Sequence, residues 1–195
     1  MALFDSRAFG PVMKPTQPLN AVSLSGGGYP SNVINQQWLV GGYLENRQGM
    51  YSSEIFSGQR FIHLGIDIWA AAGTPVYAIR DGIVFGVKDN ANELDYGPTL
   101  ITQHEVSGVK LWCLYGHLSR GSVKEWSAGD TISRDDRLAL LGSTAENGGW
   151  LPHLHFQVSL EKPSDIDMPG VCAPDDVDKA RLTYPDPRLL LGPLY

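Results

Sequence analysis

The stretch PHLHFQV, at residues 152–158, places two imidazoles one residue apart. If this stretch is a β-strand, successive side chains point to opposite faces, so His153, His155 and Gln157 share one face. The apolar residues between them then form a row that faces the core. Two buried imidazoles side by side cost desolvation free energy, which favours a site that uses them.

A second stretch, HLGIDI at residues 63–68, carries His63 and Asp67. A spacing of four residues fits one face of a helix, but a glycine next to β-branched isoleucine makes a strand the better choice. Gly65 lies between the two polar residues and leaves room there for an ion. Catalytic zinc sites commonly take three protein ligands from His and Asp or Glu. His63, Asp67 and one histidine of the HLH pair would supply that set.

Two further histidines occur singly, His117 in LYGHLS and His104 in ITQHEV. A lone histidine is more often a structural or solvent-exposed ring than a functional one, and nothing near His104 changes that expectation. His117 differs, because attack of metal-activated water on a carbonyl needs both a base and a group that stabilises the oxyanion. Imidazoles can serve both purposes, so four histidines and one aspartate would complete such a site.

Composition and charge narrow the class of protein. The chain has 195 residues, is 43% hydrophobic and carries a formal net charge of −6, which predicts a globular core and excludes nucleic acid and anionic membranes as expected partners. Its beginning lacks the basic and apolar regions of a signal peptide, which predicts a cytoplasmic location. Cys113 and Cys172 form no CxxC pair and are expected to be reduced thiols.

The elements that would position these residues are short strands. Residues 38–160 alternate apolar runs with turn signals, which predicts an all-β protein, an antiparallel sandwich or partly open barrel. The pair Asp81-Gly82 predicts a tight hairpin between two of these strands. Residues 1–37 are rich in Gly, Pro, Ser and Asn and predict an irregular N-terminal arm. Residues 161–195 predict a C-terminal extension packed on the domain.

The order of these motifs resembles a known family. H-x-G-x-D, AAAGTPVYAIRDGIV, YGHL and GST…PHLHF follow one another over about residues 60–160, and together they are similar to the lysostaphin and LytM-type zinc metallopeptidases. The resemblance implies an antiparallel β-sheet groove of the hybrid-motif-like type, with the metal on the groove floor. It also implies a zinc-dependent metalloendopeptidase that cleaves glycyl or D-amino-acid-containing bonds in cell-wall-like peptides, including peptidoglycan-derived ones.

The resemblance assigns a role to each polar residue of the motifs. It implies that one zinc ion per chain is bound by His63, Asp67 and His155. It further implies that His153 is the general base and that His117 stabilises the transition state. On this assignment the second histidine of the HLH pair is a metal ligand and the first transfers the proton.

Two features depart from the family pattern. The turn GSTAENGGWL is longer than usual before HLHF and carries Trp150 at the edge of the expected groove, which predicts a different substrate preference. Gln157 stands where the family frequently has glutamate, which removes a charge near the metal.

A narrower resemblance covers most of the chain after residue 35. The phrases GGYLENR (41–47), DNANELDYGPTLI (89–101), NGGWLPHLHFQ (147–157) and YPDPRLLLG (184–192) are similar to a module of large bacterial proteins. Those proteins also carry a kinase-like phosphotransferase domain and a pyridoxal-phosphate aminotransferase. This resemblance implies a cytoplasmic location, larger assemblies of that type, and a small peptide or modified amino acid as substrate.

Other functional classes remain open at this stage, as does the oligomeric state. A regulatory module of the same fold could bind a metal or peptide without turnover. A phosphocarrier-like role rests on fold kinship alone and leaves the pair His63 and Asp67 without a purpose. A further hypothesis is that the N-terminal arm, through Asn35, Gln36 and Gln37, covers the groove and supplies a fourth ligand; its alternative is a strand that pads the sheet edge.

Overall fold

A computed structural model describes residues 4–29, 38–50 and 59–195. The strands in these ranges are β1 Asn20–Val22, β2 Leu39–Gly41, β3 Ile62–His63, β4 Ile66–Trp69, β5 Pro75–Tyr77, β6 Gly82–Asn90, β7 Gly97–Val106, β8 Val109–Gly116, β9 Thr131–Ile132, β10 Arg137–Leu140, β11 His153–Ser159 and β12 Val171–Cys172. The helices are α1 Arg120–Val123, α2 Val177–Thr183 and α3 Arg188–Leu191. Among the described residues, every helix is too short to cross a bilayer. The predicted all-β class is confirmed, in a protein that is mostly β-sheet with a few short helices.

One large sheet organises the molecule. Its eight strands lie in the order β1-β2-β4-β11-β8-β7-β6-β9. Strands β1 and β2 pair in parallel, and the other neighbours of this sheet pair antiparallel. Two small antiparallel sheets complete the fold, one formed by β5 and β10 and the other by β3 and β12. The strands that contain the site motifs, β4 and β11, are therefore adjacent in the middle of the large sheet.

Turn chemistry explains the hairpin formed by β7 and β8. Val106 pairs with Val109, so only Ser107 and Gly108 form the loop. Both have positive φ, 51° and 80°. A two-residue loop with positive φ at both positions matches the right-handed twist of the flanking strands.

The hairpin predicted at Asp81-Gly82 is wrong. Strand β5 pairs with β10, whereas β6, which begins at Gly82, pairs with β7 and β9. The chain crosses here from one sheet to another. Asp81 is held by tertiary contacts, since its carboxylate accepts a hydrogen bond from the backbone N–H of Arg134 at 2.7 Å and its carbonyl accepts one from His104 at 3.0 Å.

The large sheet buries both faces, as the alternation along β8 shows. Leu111, Cys113 and Tyr115 point into the main core, whereas Trp112 and Leu114 point to the opposite face. The second face is covered in part by the C-terminal segment, through Met168 and Ile166 among others. Both cysteines of the sequence, Cys113 and Cys172, are free.

The segments at the two ends of the chain pack against this body. Phe4, Phe9, Val12 and Met13 are buried in the main core, and β1 extends the sheet edge beside β2. At the other end, Leu190 reaches the same core and β12 pairs with β3. The domain limits at residues 37 and 160 stay a prediction. Asn35, Gln36 and Gln37 of the plug hypothesis lie outside the described residues.

Candidate metal centre

The register of β11 on β4 brings the two motifs together. His155 pairs with Asp67 and His153 pairs with Trp69, while the alternate residues Leu154, Phe156, Ile66 and Ile68 are buried in the main core. The predicted division of PHLHFQV into a polar and an apolar face is confirmed. Cross-strand neighbours on one face of an antiparallel pair lie close together, which is why these polar side chains converge.

Three predicted ligands form a compact cluster. His63, Asp67 and His155 each offer an atom within 4.8 Å of the others, and all three side chains are buried. Nε2 of His63 lies 3.0 Å from Nδ1 of His155. The same Nδ1 lies 3.0 Å from Oδ1 of Asp67, and Nε2 of His63 lies 3.4 Å from that oxygen. The three donor atoms therefore face one another.

The space above Gly65 was predicted to hold an ion, but a protein side chain fills it. A Cβ atom at this position would lie 2.6 Å from Cε1 and 2.7 Å from Nε2 of His155. The imidazole of His155, rather than an ion, thus occupies the room left by the missing side chain. The glycine permits close approach of β11 and turns Nδ1 of His155 toward Asp67.

Hydrogen bonds determine which nitrogen of each ligand ring is available. Nδ1 of His63 lies 3.0 Å from the carbonyl oxygen of Gly42, and a carbonyl can only accept, so Nδ1 carries the hydrogen and Nε2 carries the lone pair. Nε2 of His155 lies 3.0 Å from Oε1 of Gln157. That nitrogen donates to the amide oxygen, so Nδ1, which lies beside the carboxylate of Asp67, is the nitrogen of His155 that is placed to bind a metal ion.

A buried arginine that the sequence analysis did not single out neutralises the carboxylate. Nη1 of Arg47 lies 2.5 Å from Oδ2 of Asp67, and Nε of Arg47 lies 2.8 Å from Oε2 of Glu45. Burial alone would raise the pKa of Asp67, but His63, which becomes positively charged at low pH, and the permanently charged Arg47 hold that pKa well below its ordinary value. The carboxylate is therefore ionised at neutral pH. A buried arginine needs an acidic partner. The stretch GGYLENR contains such a pair, Glu45 and Arg47, and this was the signal in the sequence.

The ligand histidine of β3 is neutral at physiological pH. Burial, and after it the charge of Arg47, lower the pKa of His63 to about 4. Metal ions bind the neutral imidazole through its lone pair. His63 is thus in the state in which it can ligate, with Nε2 aimed at the other donors.

The two predicted catalytic histidines lie side by side. The ring centroids of His117 and His153 are 4.2 Å apart. Nδ1 of His153 donates to the carbonyl of Leu151 at 2.7 Å, and Nδ1 of His117 donates to the carbonyl of Asn147 at 2.9 Å. Each ring therefore keeps its lone pair on Nε2. Nε2 of His153 lies 3.8 Å from Oδ1 of Asp67.

Burial keeps this second pair of rings neutral as well. It lowers the pKa of His153. Burial and the neighbouring His153 and His155 lower the pKa of His117 well below its usual value. A neutral imidazole with a free lone pair can accept a proton, which is the state that a general base requires.

The backbone at His117 is in an unusual conformation. Its φ is +62°, in the left-handed region that non-glycine residues seldom adopt. The strained turn is held by backbone hydrogen bonds from His117 N to Tyr96 O at 2.9 Å and from Leu118 N to Pro98 O at 3.0 Å. These bonds direct the imidazole toward His153 at the end of β8.

Aromatic rings complete the surroundings of the site. The indole of Trp69 stacks on His153, with centroids 5.4 Å apart and planes 22° apart. Trp150 lies edge-on to His117 at 6.3 Å, and Tyr96 lies 5.0 Å from the ring of His155. The expectation that Trp150 borders the groove agrees with this position. Trp69, which the sequence also offered as a groove residue, lines the groove too, and its stacking on His153 follows from the pairing of β4 with β11.

These residues line a groove of about 280 Å³. The N-terminal segment contributes Leu24 and Tyr29 to its wall, and the C-terminal segment contributes residues 167–171. Both ends of the chain therefore shape the space next to the cluster. His104 lies elsewhere, on β7, where Thr102 and the carbonyl of Asp81 contact its two ring nitrogens.

Comparison with known proteins decides the family. The sequence profile of peptidase family M23 matches residues 61–167, which is more than half of the chain. The chain belongs to peptidase family M23. This membership confirms the class of enzyme expected from the motifs, a metallopeptidase, and implies a metal at the cluster of His63, Asp67 and His155.

Individual relatives are similar to parts of the M23 chain. An uncharacterised metalloprotease of Haemophilus influenzae is 34% identical over 112 residues, which cover 55% of this chain and 22% of the relative. Peptidoglycan DD-endopeptidase ShyA of Vibrio cholerae is 34% identical over 96 residues, which cover 49% of this chain and 20% of that protein. The M23 chain thus matches only about a fifth of the length of these relatives.

Among solved structures, the catalytic domain of lysostaphin from Staphylococcus simulans is 23% identical to the M23 chain, with a TM-score of 0.46. The match covers 77% of this chain and 98% of that domain.

The donors fit a metal ion on chemical grounds. The cluster offers one nitrogen from each of two imidazoles and one ionised carboxylate, all buried and facing one another. Nε2 of His63 and Oδ1 of Asp67 each lie 3.0 Å from Nδ1 of His155, and both are acceptors, so the space between these atoms needs a positive centre. A proton on Nδ1 or a bound metal ion would supply it.

Proposed function

We propose that this M23 chain is a zinc-dependent endopeptidase that hydrolyses a peptide bond held in the groove. The observation that carries the proposal is the convergence of four imidazoles and one carboxylate, in which each of four rings is anchored through one nitrogen. The anchored ring keeps its orientation, and its other nitrogen is left for chemistry. Nitrogen and carboxylate donors in this number suit zinc, which is why we propose that ion.

The residues around the ion have two roles, to bind it and to balance its ligands' charge. His63, Asp67 and His155 would hold the ion, and Arg47 offsets part of the carboxylate charge through its 2.5 Å contact with Asp67. When bound, the ion polarises the scissile carbonyl and makes water more acidic. The net charge that these protein groups would place around the ion is then small.

His153 is suited to proton transfer. Its Nδ1–H is fixed on Leu151 O, so Nε2 is the atom that takes a proton from a water molecule and later returns it to the leaving amine. Trp69 and His117 hold the ring from both sides. The base therefore reacts without first reorienting, which lowers the entropic part of the barrier.

His117 is suited to stabilising the charge that develops on the carbonyl oxygen. Its Nδ1–H is fixed on Asn147 O, and its strained backbone directs Nε2 into the groove beside His153. Because burial lowers the pKa of His117, Nε2 takes up a proton from solvent only as negative charge develops beside it, and it then donates a hydrogen bond to the oxyanion. A preorganised donor of this kind contributes through charge that appears only in the transition state.

We propose a cell-wall-like peptide, with glycyl or D-amino-acid-containing bonds, as the substrate class. Support comes from ShyA, whose name describes a peptidoglycan DD-endopeptidase. The aromatic wall formed by Trp69, Trp150 and Tyr29 offers flat surfaces against which glycine or alanine backbone can pack closely.

The first test is the metal content of the protein purified without chelator. About one zinc per chain is expected for the unsubstituted protein and none for His155→Ala, since two donors alone bind zinc weakly. His104→Ala is the matched control, a buried histidine outside the groove, and should retain the zinc. Absence of zinc uptake by the unsubstituted protein, even on titration, would refute the proposal.

The second test is cleavage of a panel of glycyl and D-alanyl peptides. The zinc-loaded protein should cleave at least one of them, and His153→Ala should bind zinc but cleave none. Zinc binding without any cleavage by the unsubstituted protein would favour the alternative function, a metal- or peptide-binding regulatory module.

The narrower resemblance adds a proposal about partners and place. We infer that the chain acts in the cytoplasm, within or beside phosphotransferase- and aminotransferase-type assemblies, on a small peptide. Fractionation of cells and affinity purification of the tagged chain would test this. Recovery of the chain outside the cytoplasm, without such enzymes, would contradict it.

A further inference from the structure

Gln157 connects the metal centre to the C-terminal segment. It lies two residues after His155 on the same face of β11 and is fully buried. Its Oε1 lies 3.0 Å from Nε2 of His155, and its Nε2 lies 3.2 Å from the carbonyl oxygen of Pro169. One amide therefore bridges a ligand ring and a loop that follows β11.

The direction of this bridge is determined by chemistry. The carbonyl of Pro169 can only accept, so the amide NH₂ of Gln157 must point toward it, and the amide oxygen must point toward His155. That oxygen in turn requires a hydrogen on Nε2 of His155. The nitrogen left for a metal ion is then Nδ1, which faces Asp67 and His63 at 3.0 Å each.

The loop that supplies the carbonyl is itself attached to the other ligand strand. Leu64 N donates to Gly170 O at 2.9 Å, and Val171 pairs with His63. Gly170 also lies against Tyr96, since a Cβ there would be 2.4 Å from the Tyr96 hydroxyl. The position of Pro169 O is therefore set by the same strand that carries a ligand.

We propose that Gln157 is a positioning residue through which the C-terminal segment sets the tautomer and orientation of His155. The inference rests on the proposed role of His155 as a metal ligand. Glutamate, the residue frequent at this position in the family, could make only one of these two hydrogen bonds. An ionised carboxylate accepts from His155 but cannot donate to Pro169 O, and it places negative charge against that carbonyl.

Two substitutions separate the halves of the bridge. Gln157→Leu removes both hydrogen bonds at similar volume, and Gln157→Glu keeps the acceptor but removes the donor. Gln103→Leu is the matched control, a glutamine on β7 that does not line the groove. Tyr96→Phe tests the second acceptor near His155 Nε2, whose hydroxyl is 3.4 Å away.

The first readout is the ring ¹⁵N spectrum of metal-free protein, which reports the tautomer of His155 directly. The unsubstituted protein, Gln103→Leu and Tyr96→Phe should show hydrogen on Nε2. In Gln157→Leu that hydrogen should be lost from Nε2, leaving hydrogen on Nδ1 beside the Asp67 carboxylate. Hydrogen retained on Nε2 in Gln157→Leu would overturn the proposal.

The second readout is zinc affinity, measured by competition with a chromophoric chelator. Gln157→Leu should bind zinc about 10- to 100-fold more weakly, the usual effect of losing a hydrogen-bond partner of a ligand. Gln157→Glu should bind zinc at least as tightly as the unsubstituted protein, yet exchange the Leu64 amide hydrogen faster, since the loop loses its anchor. Unchanged affinity in Gln157→Leu, or unchanged exchange in Gln157→Glu, would contradict the coupling.

The two proposals fail in different ways. If the unsubstituted protein takes up no zinc, the proposed function falls, while the ring ¹⁵N spectrum still decides whether Gln157 sets the tautomer. If zinc binds and all variants behave alike, the proposed function stands and the role of Gln157 is refuted.

Discussion

The groove and the interior of β7 both bury histidines, but they hold them in different ways. Nδ1 of His104 donates to Asp81 O at 3.0 Å, and its Nε2 lies 2.7 Å from the Thr102 hydroxyl. Both ring nitrogens are thereby satisfied within the protein. In the groove, the rings of His117 and His153 are anchored through Nδ1 only.

This difference teaches how to distinguish a structural from a functional buried histidine. In His104 both nitrogens have partners outside the groove, so its burial costs little and neither nitrogen faces a ligand or a substrate. A ring with one partner keeps its orientation and retains a nitrogen for a metal or a proton. The pKa of His104 and that of His153 are both lowered by burial, so the pKa shift alone does not separate the two cases.

The largest expected effect is on turnover. His153→Gln should retain zinc and lower kcat about 10²- to 10⁴-fold, because the proton acceptor is lost. His104→Gln should leave kcat close to that of the unsubstituted chain. Steady-state kinetics on a cleaved peptide, with zinc content measured in parallel, check both. Equal losses from the two substitutions would remove the distinction between the two regions.

The buried ion pair is expected to matter most for stability. Arg47→Met should lower the free energy of unfolding of the metal-free protein by about 3–5 kcal/mol, because Asp67 and Glu45 then remain buried without their cation. Urea unfolding measures the change. Added zinc should restore part of it, since the ion supplies the missing charge. Arg7→Met, which removes an exposed ion pair with Asp5, should leave the free energy of unfolding unchanged.

A smaller effect is expected from the titration of His104. Burial lowers its pKa below the ordinary value of 6.5, so below pH 6.5 the unfolded chain binds a proton that the folded chain does not. The unsubstituted protein should therefore lose stability as pH falls, by at most about 1.4 kcal/mol per pH unit from this residue.

The glutamine variant isolates this contribution. His104→Gln keeps a donor and an acceptor but does not titrate, so its free energy of unfolding should fall less steeply between pH 7 and pH 5. Urea unfolding of both metal-free proteins at several pH values compares the slopes. Parallel curves would show that His104 is protonated in the folded state as readily as in the unfolded state.

The smallest expected effect concerns the stack on the general base. Trp69→Phe keeps an aromatic ring beside His153 and should lower the free energy of unfolding by about 1 kcal/mol. The loss in kcat should stay within about tenfold, the equivalent of 1.4 kcal/mol. Trp112→Phe changes a residue in the cluster on the second face of the sheet. It should lower the free energy of unfolding by a similar amount and leave kcat unchanged. A loss in kcat as large as that of His153→Gln would mean that the indole itself takes part in the reaction.

Much of this centre was predictable from local pattern. The period-two alternation of PHLHFQV places His153 and His155 on one face whatever the rest of the fold does. The order of the motifs identified the family. The prediction of one strand through HLGIDI was wrong, because His63 ends β3 and Asp67 lies on β4, which belong to different sheets. The position of Gln157 on the histidine face was also predictable, although its two partners were not.

Tertiary structure alone decided the rest, because contacts between distant segments leave no periodic trace in the sequence. The pairing of Arg47 with Asp67 spans 20 residues, and the bond from Gln157 reaches a carbonyl in a loop beyond its own strand. The hairpin expected at Asp81-Gly82 failed for the same reason, since the local turn signal was outweighed by pairing of its flanking strands with others. The sequence by itself determined which residue types share a face. The packing of strands and end segments determined which nitrogen of each ring remained available for chemistry.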